Sequence, residues 1–156
     1  MERNTVTMEE NFIKTSPAYM ESDPSSSTYG GIAAMNPLVL AYIGDVTYEK
    51  EVRKRIVIEN PNDKINAIHK KTVEFSKAMS QSKVVNALKD AQVLTEKEWY
   101  FVKRGRNTQS STPKNANVTD YRYATGFETM IGYLDLSGQY KRIGYMVDFA
   151  FKVVNG

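Results

Sequence analysis

The stretch NPLVLAYIGDVTYEKEVR, residues 36–53, opens with a helix-start signal and then places a lone acid directly behind a glycine. Asn36 is a favourable N-cap, and Pro37 suits the first helical position. The stretch therefore predicts a long helix that carries one carboxylate, Asp45, in an apolar setting. The apolar residues that recur at helical spacing are Val39, Tyr42, Ile43, Val46, Val52 and Ile56.

A second stretch, TGFETMIGYL at residues 125–134, has a similar design, with Glu128 one helical turn before Gly132. Glycine inside a helix costs about 1 kcal/mol relative to alanine, and such glycines often mark the close approach of another backbone. If Gly44 and Gly132 mark one crossing, Asp45 and Glu128 face each other and perturb each other's pKa. Mg²⁺ relieves such repulsion, because it takes hard oxygen ligands, typically one or two carboxylates and several waters.

Spacing alone leaves ordinary alternatives for these acids. In the first alternative, Asp45 forms an ion pair with a nearby basic side chain. In the second, Glu128 forms an ion pair with a different basic side chain. The candidate partners of Glu128 are Arg122 and Lys103. Glu49, one turn after Asp45, either extends the acidic cluster as an outer acid or pairs with Arg53 at i+4.

Four further helices are predicted downstream. Their start signals are Asn60 before Pro61, the capping box of Thr95 and Glu98, and Thr119, and their stop signals are Gly105 and Ser137–Gly138. No strand signal competes with them. The sequence thus predicts an all-α fold, with about five main helices in a single domain at residues 36–156.

Composition narrows the class of protein. The chain has 156 residues, of which 41% are hydrophobic and 25% charged, as in an ordinary globular domain. No apolar run approaches the ~18 residues of a membrane-spanning helix, and the N-terminus lacks the pattern of a secretory signal. The absence of cysteine excludes disulfides, thiolate catalysis and cysteine metal sites, and it favours a cytoplasmic protein.

The N-terminal segment differs from the rest in composition and charge. Residues 1–35 include SDPSSSTYGG, which has no helical or strand period, and they are predicted to be a polar tail, either partly disordered or docked locally. Of the 21 basic and 18 acidic residues of the chain, two and five lie in this segment, leaving 19 and 13 for residues 36–156. The basic body permits a nucleic-acid partner.

The two acidic stretches, in this order and about 70 residues apart, resemble Mini-ribonuclease III, the compact branch of the ribonuclease III family. KRGRN at residues 103–107 and PKNANV at residues 113–118 fit the same branch, and the resemblance covers roughly residues 36–155. Two acids of the family motifs match Asp45 and Glu128. Three others are replaced by Leu38, Ala41 and Thr125, and the form TGFE is itself typical of the Mini branch.

The resemblance implies a ribonuclease-III-like catalytic domain that cleaves double-stranded RNA endonucleolytically and leaves 5′-phosphate and 3′-hydroxyl ends. It implies that Asp45 and Glu128 are catalytic ligands of Mg²⁺, with Mn²⁺ as a possible substitute. By family analogy the substrate is precursor large-subunit ribosomal RNA in the cytoplasm. The alternative is a catalytically silent RNA-binding or ribosome-associated module on the same fold.

The resemblance also implies a homodimer in which Tyr42 contacts the partner subunit; the alternative places Tyr42 in the core of its own subunit. The polar loop 107–117 and its basic flanks are predicted to contact RNA phosphates, the alternative being a solvated loop. The predicted RNA-binding residues are Lys103, Arg104, Arg106, Asn107, Lys114 and Arg122. The single histidine, His69, is predicted to be a surface residue rather than a base.

Overall fold

The computed structural model describes residues 27–108 and 110–156, and these residues form seven helices and no strand. The all-α prediction is confirmed. The helices are α1 (Ser27–Ala34), α2 (Pro37–Glu59), α3 (Ile65–Ser76), α4 (Ala78–Asp90), α5 (Glu96–Asn107), α6 (Val118–Leu136) and α7 (Tyr140–Asn155). None of the helices in these two ranges combines the length and the apolarity needed to cross a membrane.

Helix α6 is the centre of the fold. It packs against α2, α4, α5 and α7, and nearly every residue from Ala124 to Leu134 is buried. Tyr48 from α2 meets Phe127 of α6 edge to face, with ring centroids 4.9 Å apart, and Phe101 from α5 stacks on Tyr133 at 4.1 Å. Because its neighbours surround it, α6 carries Glu128 into a largely apolar interior.

Several helix-end signals are confirmed. The Asn36 side chain accepts a hydrogen bond from the Leu38 amide at 2.9 Å, and Pro37 opens α2. Thr95 and Glu98 form the capping box that starts α5. Gly138, with φ at 74°, adopts the left-handed conformation that ends the α6 segment, which glycine tolerates best.

Other predicted boundaries are wrong. Asn60 ends α2 instead of starting α3: its side chain donates to the Ile56 carbonyl at 2.9 Å. The predicted second helix is two helices, divided at Lys77, where ψ is 149°. Asn117, not Thr119, caps α6. Two of the seven helices were therefore not anticipated.

Gly105 lies inside α5 and does not end it. A Cβ at Gly105 would lie 2.8 Å from the Cα of Gly126, so this glycine allows α5 to approach α6 closely. The helix continues for two residues to Asn107. The glycine was read as a stop signal, and its contact with α6 explains why it is tolerated within the helix.

Part of the predicted tail is helical. Helix α1 occupies residues that show no helical period in the sequence, and its Ile32 is 4% exposed. The Arg104 guanidinium donates to the Ala33 carbonyl and, at 3.1 Å, to the Met35 carbonyl. A partner about 70 residues away thus holds the end of α1 in place. The remainder of the predicted tail, residues 1–26, lies outside the described residues.

Candidate active site

Helices α2 and α6 cross with their backbones in contact at Gly44 and Gly132. A Cβ on Gly44 would overlap the carbonyl oxygen of Glu128 and lie 2.8 Å from the Gly132 nitrogen. A Cβ on Gly132 would overlap the Leu40 carbonyl and lie 3.1 Å from the Leu40 Cα. Because no side chain fits at either position, the glycines set the distance between the helices. The prediction that both mark one crossing is confirmed.

The crossing brings the carboxyl groups of Asp45 and Glu128 together. The two side chains are hydrogen-bonded to each other, with Asp45 at the exposed rim and Glu128 half-buried behind it. Burial, followed by the hydrogen bond and the charge of Asp45, raises the pKa of Glu128 from its ordinary 4.5 to about 9. At neutral pH Glu128 therefore keeps its proton.

In the described part of the chain, the carboxyl pair has no basic side chain as an ion-pair partner. Within residues 27–108 and 110–156, no ion pair involves Asp45 or Glu128, so the alternatives with Arg122 and Lys103 are not observed. Glu49 instead pairs with Arg53 at 3.0 Å, the alternative left open for it. In the described part of the chain no three His, Cys, Asp or Glu side chains form a metal-binding group.

Two adjacent carboxylates still suit Mg²⁺, which commonly keeps several waters and binds proteins through one or two carboxylates. Thr125, at the position of a missing family acid, is 7% exposed and donates its hydroxyl to the Tyr121 carbonyl at 3.0 Å. Ala41 is also buried and offers no ligand atom. The donor set thus consists of Asp45 and Glu128, and it fits a hydrated divalent cation.

Five of the six predicted RNA-binding residues line two depressions beside α5. One, of about 440 Å³, is lined by Lys103, Arg104 and Asn107 together with Pro37, Tyr100 and Thr108. Arg104 donates to the Ala33 and Met35 carbonyls at the end of α1, so it braces this depression. Lys103 and Asn107 are exposed.

The second depression, of about 180 Å³, is lined by Arg106, Asn107, Thr119, Arg122 and Tyr123. Asn107 borders both depressions and accepts a hydrogen bond from Arg106 Nε at 3.0 Å. Lys114 is exposed in the loop and borders neither of them. His69 is exposed, as predicted.

The outer face of α2 carries an exposed apolar stripe. Val39, Tyr42 and Val46 are 50%, 76% and 64% exposed, whereas Leu40, Tyr48, Val52 and Ile56 fill the core. The sequence placed the first three on the same apolar face as Val52 and Ile56. That reading is wrong, because the first three turns of α2 are apolar all round and Gly44 decides which side meets α6. The alternative that Tyr42 is core of its own subunit is also excluded.

Two residues near the predicted basic residues, one aromatic and one basic, were missed from the sequence. Trp99 was read only as part of a helix and Lys89 was not selected, although Lys89 Nζ lies 4.6 Å from the centre of the Trp99 ring. The available signal was the spacing of seven residues between Trp99 and Arg106, which puts both on one face of α5.

Comparison with known proteins agrees with the site. A family model described as the ribonuclease III domain matches residues 38–139, which span both crossing helices. Over 110 residues the chain is 50% identical to a Mini-ribonuclease 3 of Clostridium tetani, covering 70% of this chain and 72% of the relative. Over 128 residues it is 41% identical to a Mini-ribonuclease 3 of Thermoanaerobacter sp., covering 81% and 88%.

A crystal structure of a Fusobacterium nucleatum protein superposes with a TM-score of 0.68 at 26% identity, covering 75% of this chain and 93% of that one. The chain therefore belongs to the ribonuclease III family and, within it, to the Mini-ribonuclease 3 branch. The family prediction is confirmed.

Proposed function

We propose that this ribonuclease III family member cleaves double-stranded RNA in a Mg²⁺-dependent reaction at Asp45 and Glu128, with Mn²⁺ as a substitute. Family membership makes it a double-strand-specific endoribonuclease. The observation that supports the metal and the residue roles is the contact between the two carboxyl groups, which form no ion pair with a basic side chain in residues 27–108 and 110–156. Holding two carboxyl groups together opposes folding, and a bound cation would offset that loss of stability.

The chain contributes position and protonation state to the reaction. The glycine crossing fixes both carboxyl groups, and Glu128 must lose its proton before the pair holds a divalent cation. Asp45 and Glu128 would hold Mg²⁺, which would supply a more acidic water and neutralise charge on the scissile phosphate. Hydrolysis then joins the water oxygen to phosphorus and breaks the bond to the 3′ oxygen, which takes up a proton. The products carry 5′-phosphate and 3′-hydroxyl ends.

The RNA duplex is proposed to lie across the two depressions beside α5. Lys103, Arg106, Arg122 and Lys114 supply positive charge for phosphates, and Asn107 supplies an amide between them. A-form RNA is recognised mostly through its shape, its phosphates and its 2′-hydroxyls, and such contacts suit these shallow surfaces. The proposed physiological substrate is precursor large-subunit ribosomal RNA in the cytoplasm.

The direct test compares cleavage of a long RNA duplex by the unmutated protein, Asp45→Asn and Glu128→Gln, with and without Mg²⁺. Both variants are expected to fold and bind RNA but to cleave at least about a thousand-fold more slowly, because several kcal/mol of transition-state stabilisation are lost. Glu49→Gln is the matched control and should retain activity. Near-normal cleavage by both variants would remove the metal-site assignment. An unmutated protein that binds the duplex but never cuts it would be the silent module.

The working form is proposed to be a homodimer built on the exposed stripe of α2. Tyr42 is the most exposed residue of that stripe and lies one turn before Asp45, so a two-fold contact there would bring two catalytic pairs near one duplex. A single aromatic anchor often dominates an interface.

Light scattering at several protein concentrations tests the dimer. Tyr42→Ala is expected to shift the protein towards monomer, whereas Ile58→Ala should not, although Ile58 is equally apolar and 75% exposed near the far end of α2. An unmutated protein that is monomeric at micromolar concentration and still cuts both strands would rule the dimer out.

A further inference from the structure

Four side chains form an alternating series of cations and rings across α4, α5 and α6. Lys89 Nζ lies 4.6 Å from the centre of the Trp99 ring, and Arg106 Cζ lies 5.6 Å from the same centre. Arg106 Cζ also lies 5.5 Å from the centre of the Tyr123 ring. These distances are within the ~6 Å range of cation–π attraction. The four residues Lys89, Trp99, Arg106 and Tyr123 are called the cation–ring strip below.

The strip holds its cations without neutralising them. Elsewhere in the described part of the chain, six basic side chains are paired with carboxylates, namely Arg53, Lys54, Arg55, Lys71, Lys77 and Arg142. Lys89 and Arg106 are not among them, although Glu96 lines the same depression as Lys89. A ring fixes the position of a cation but leaves its net charge in place, so the strip keeps positive charge at defined positions.

The shape of the strip favours an extended anion over a small one. Its cations come from the C-terminal end of α4 and the last turn of α5, and exposed Arg122 continues the charge onto the first turns of α6. The depressions at its two ends are shallow and do not enclose a ligand. Because cations lie over both the Trp99 and the Tyr123 ring, these rings are poor platforms for stacking a base, and contact with phosphates is favoured.

We propose that the cation–ring strip is an additional phosphate-contacting surface for the RNA duplex, extending the interface from the basic flank of α5 onto the end of α4. Trp99 and Tyr123 act as positioning residues that hold Arg106, and Lys89 and Arg106 contact phosphates. This inference rests on the proposed function, because it takes duplex RNA as the ligand.

The test measures binding of a fluorescent RNA duplex over a range of KCl concentrations, in the Glu128→Gln background so that the RNA stays intact. The slope of log affinity against log salt reports the number of phosphates neutralised. Lys89→Gln and Arg106→Gln are each expected to reduce the slope by about one unit, while Arg106→Lys should preserve most of it. Lys152→Gln is the matched control: it removes the same charge from an exposed position on α7 and should leave the slope unchanged.

Thermal unfolding of the same variants separates binding from a structural role. If Lys89→Gln and Arg106→Gln lower the melting temperature but leave the salt slope as in the parent, the strip only braces the helices and the inference is overturned. An unmutated protein that binds no duplex at all would overturn the proposed function, and this inference with it. A reduced slope with unchanged stability is the supporting result.

Discussion

Glu98 and Glu128 lie on neighbouring helices, and Glu98 is buried while Glu128 is half-buried. The nearest charged group to Glu98 is a cation, whereas the nearest one to Glu128 is another acid. Glu98 is 2% exposed and accepts hydrogen bonds from Arg142 Nε at 2.7 Å and Arg142 Nη2 at 2.8 Å, as well as from the Thr95 amide. Glu128 instead faces Asp45 across the glycine crossing. Glu98 therefore has a cationic partner within the fold, whereas Glu128 lies beside a second carboxyl group.

The difference separates a structural acid from the proposed metal ligand. The hydrogen bonds to Glu98 raise the pKa of Arg142 above its ordinary value, and the pair joins the start of α5 to the start of α7. The environment of Glu128 raises its own pKa, so its ionisation opposes folding. Burial therefore does not by itself identify a catalytic acid. The like-charged neighbour is what supports the proposed metal-binding role of Glu128, because Glu98 already has a cationic partner.

The largest expected effect on stability comes from breaking the matched pair. Glu98→Gln leaves the partly buried Arg142 without a counter-charge and should lower the free energy of unfolding by about 3 kcal/mol. For a chain of this length that corresponds to a melting temperature lower by roughly 6–12 °C. Thermal and urea unfolding measure it.

The control for Glu98→Gln is the same substitution in an exposed pair. Glu49→Gln breaks the ion pair with Arg53, whose side chains are 36% and 58% exposed, and should cost less than about 1 kcal/mol. If both variants lost the same free energy of unfolding, burial and the second hydrogen bond of Arg142 would not make the Glu98–Arg142 pair stronger than the exposed pair.

Local signals in the sequence were sufficient for much of the site. The glycine positions predicted the crossing, and the caps at Asn36 and Thr95 fixed two helix starts, because each depends on residues a few positions apart. The pairing of Glu98 with Arg142 joins residues 44 positions apart, and no local spacing predicts it.

The errors in the sequence reading have the same origin. Helix α1 depends on Arg104, about 70 residues away, and Gly105 is tolerated inside α5 because of its contact with α6. The outward direction of Tyr42 depends on which side of α2 meets α6. An apolar residue has the same hydrophobicity whether it faces its own core or a second subunit, so hydrophobic spacing alone does not separate the two.

The smaller and more specific prediction concerns the unmatched acid. In the folded, metal-free protein Glu128 holds a proton that the unfolded chain releases near pH 4.5, so the free energy of unfolding falls as pH rises from about 4.5 towards 9. The loss is at most about 1.4 kcal/mol per pH unit. Between pH 6 and 8, in the presence of a chelator, the free energy of unfolding of the unmutated protein should fall by roughly 2 kcal/mol. The free energy of unfolding of Glu128→Gln should not show this fall. Urea unfolding at the two pH values measures the difference.

Two further measurements assign this pH dependence to the pair itself. Asp45→Asn should keep part of the slope, because burial is the largest cause of the raised pKa of Glu128 and the charge of Asp45 adds to it. Mg²⁺ at pH 8 should stabilise the unmutated protein more than Glu128→Gln, because a cation that binds the ionised pair in the native state adds its binding free energy to folding. If the pH slope were the same in the unmutated protein and in Glu128→Gln, Glu128 would ionise normally. If Mg²⁺ then stabilised both equally, the pair would not be the metal site, and the contrast with Glu98 would reduce to a difference in hydrogen bonding.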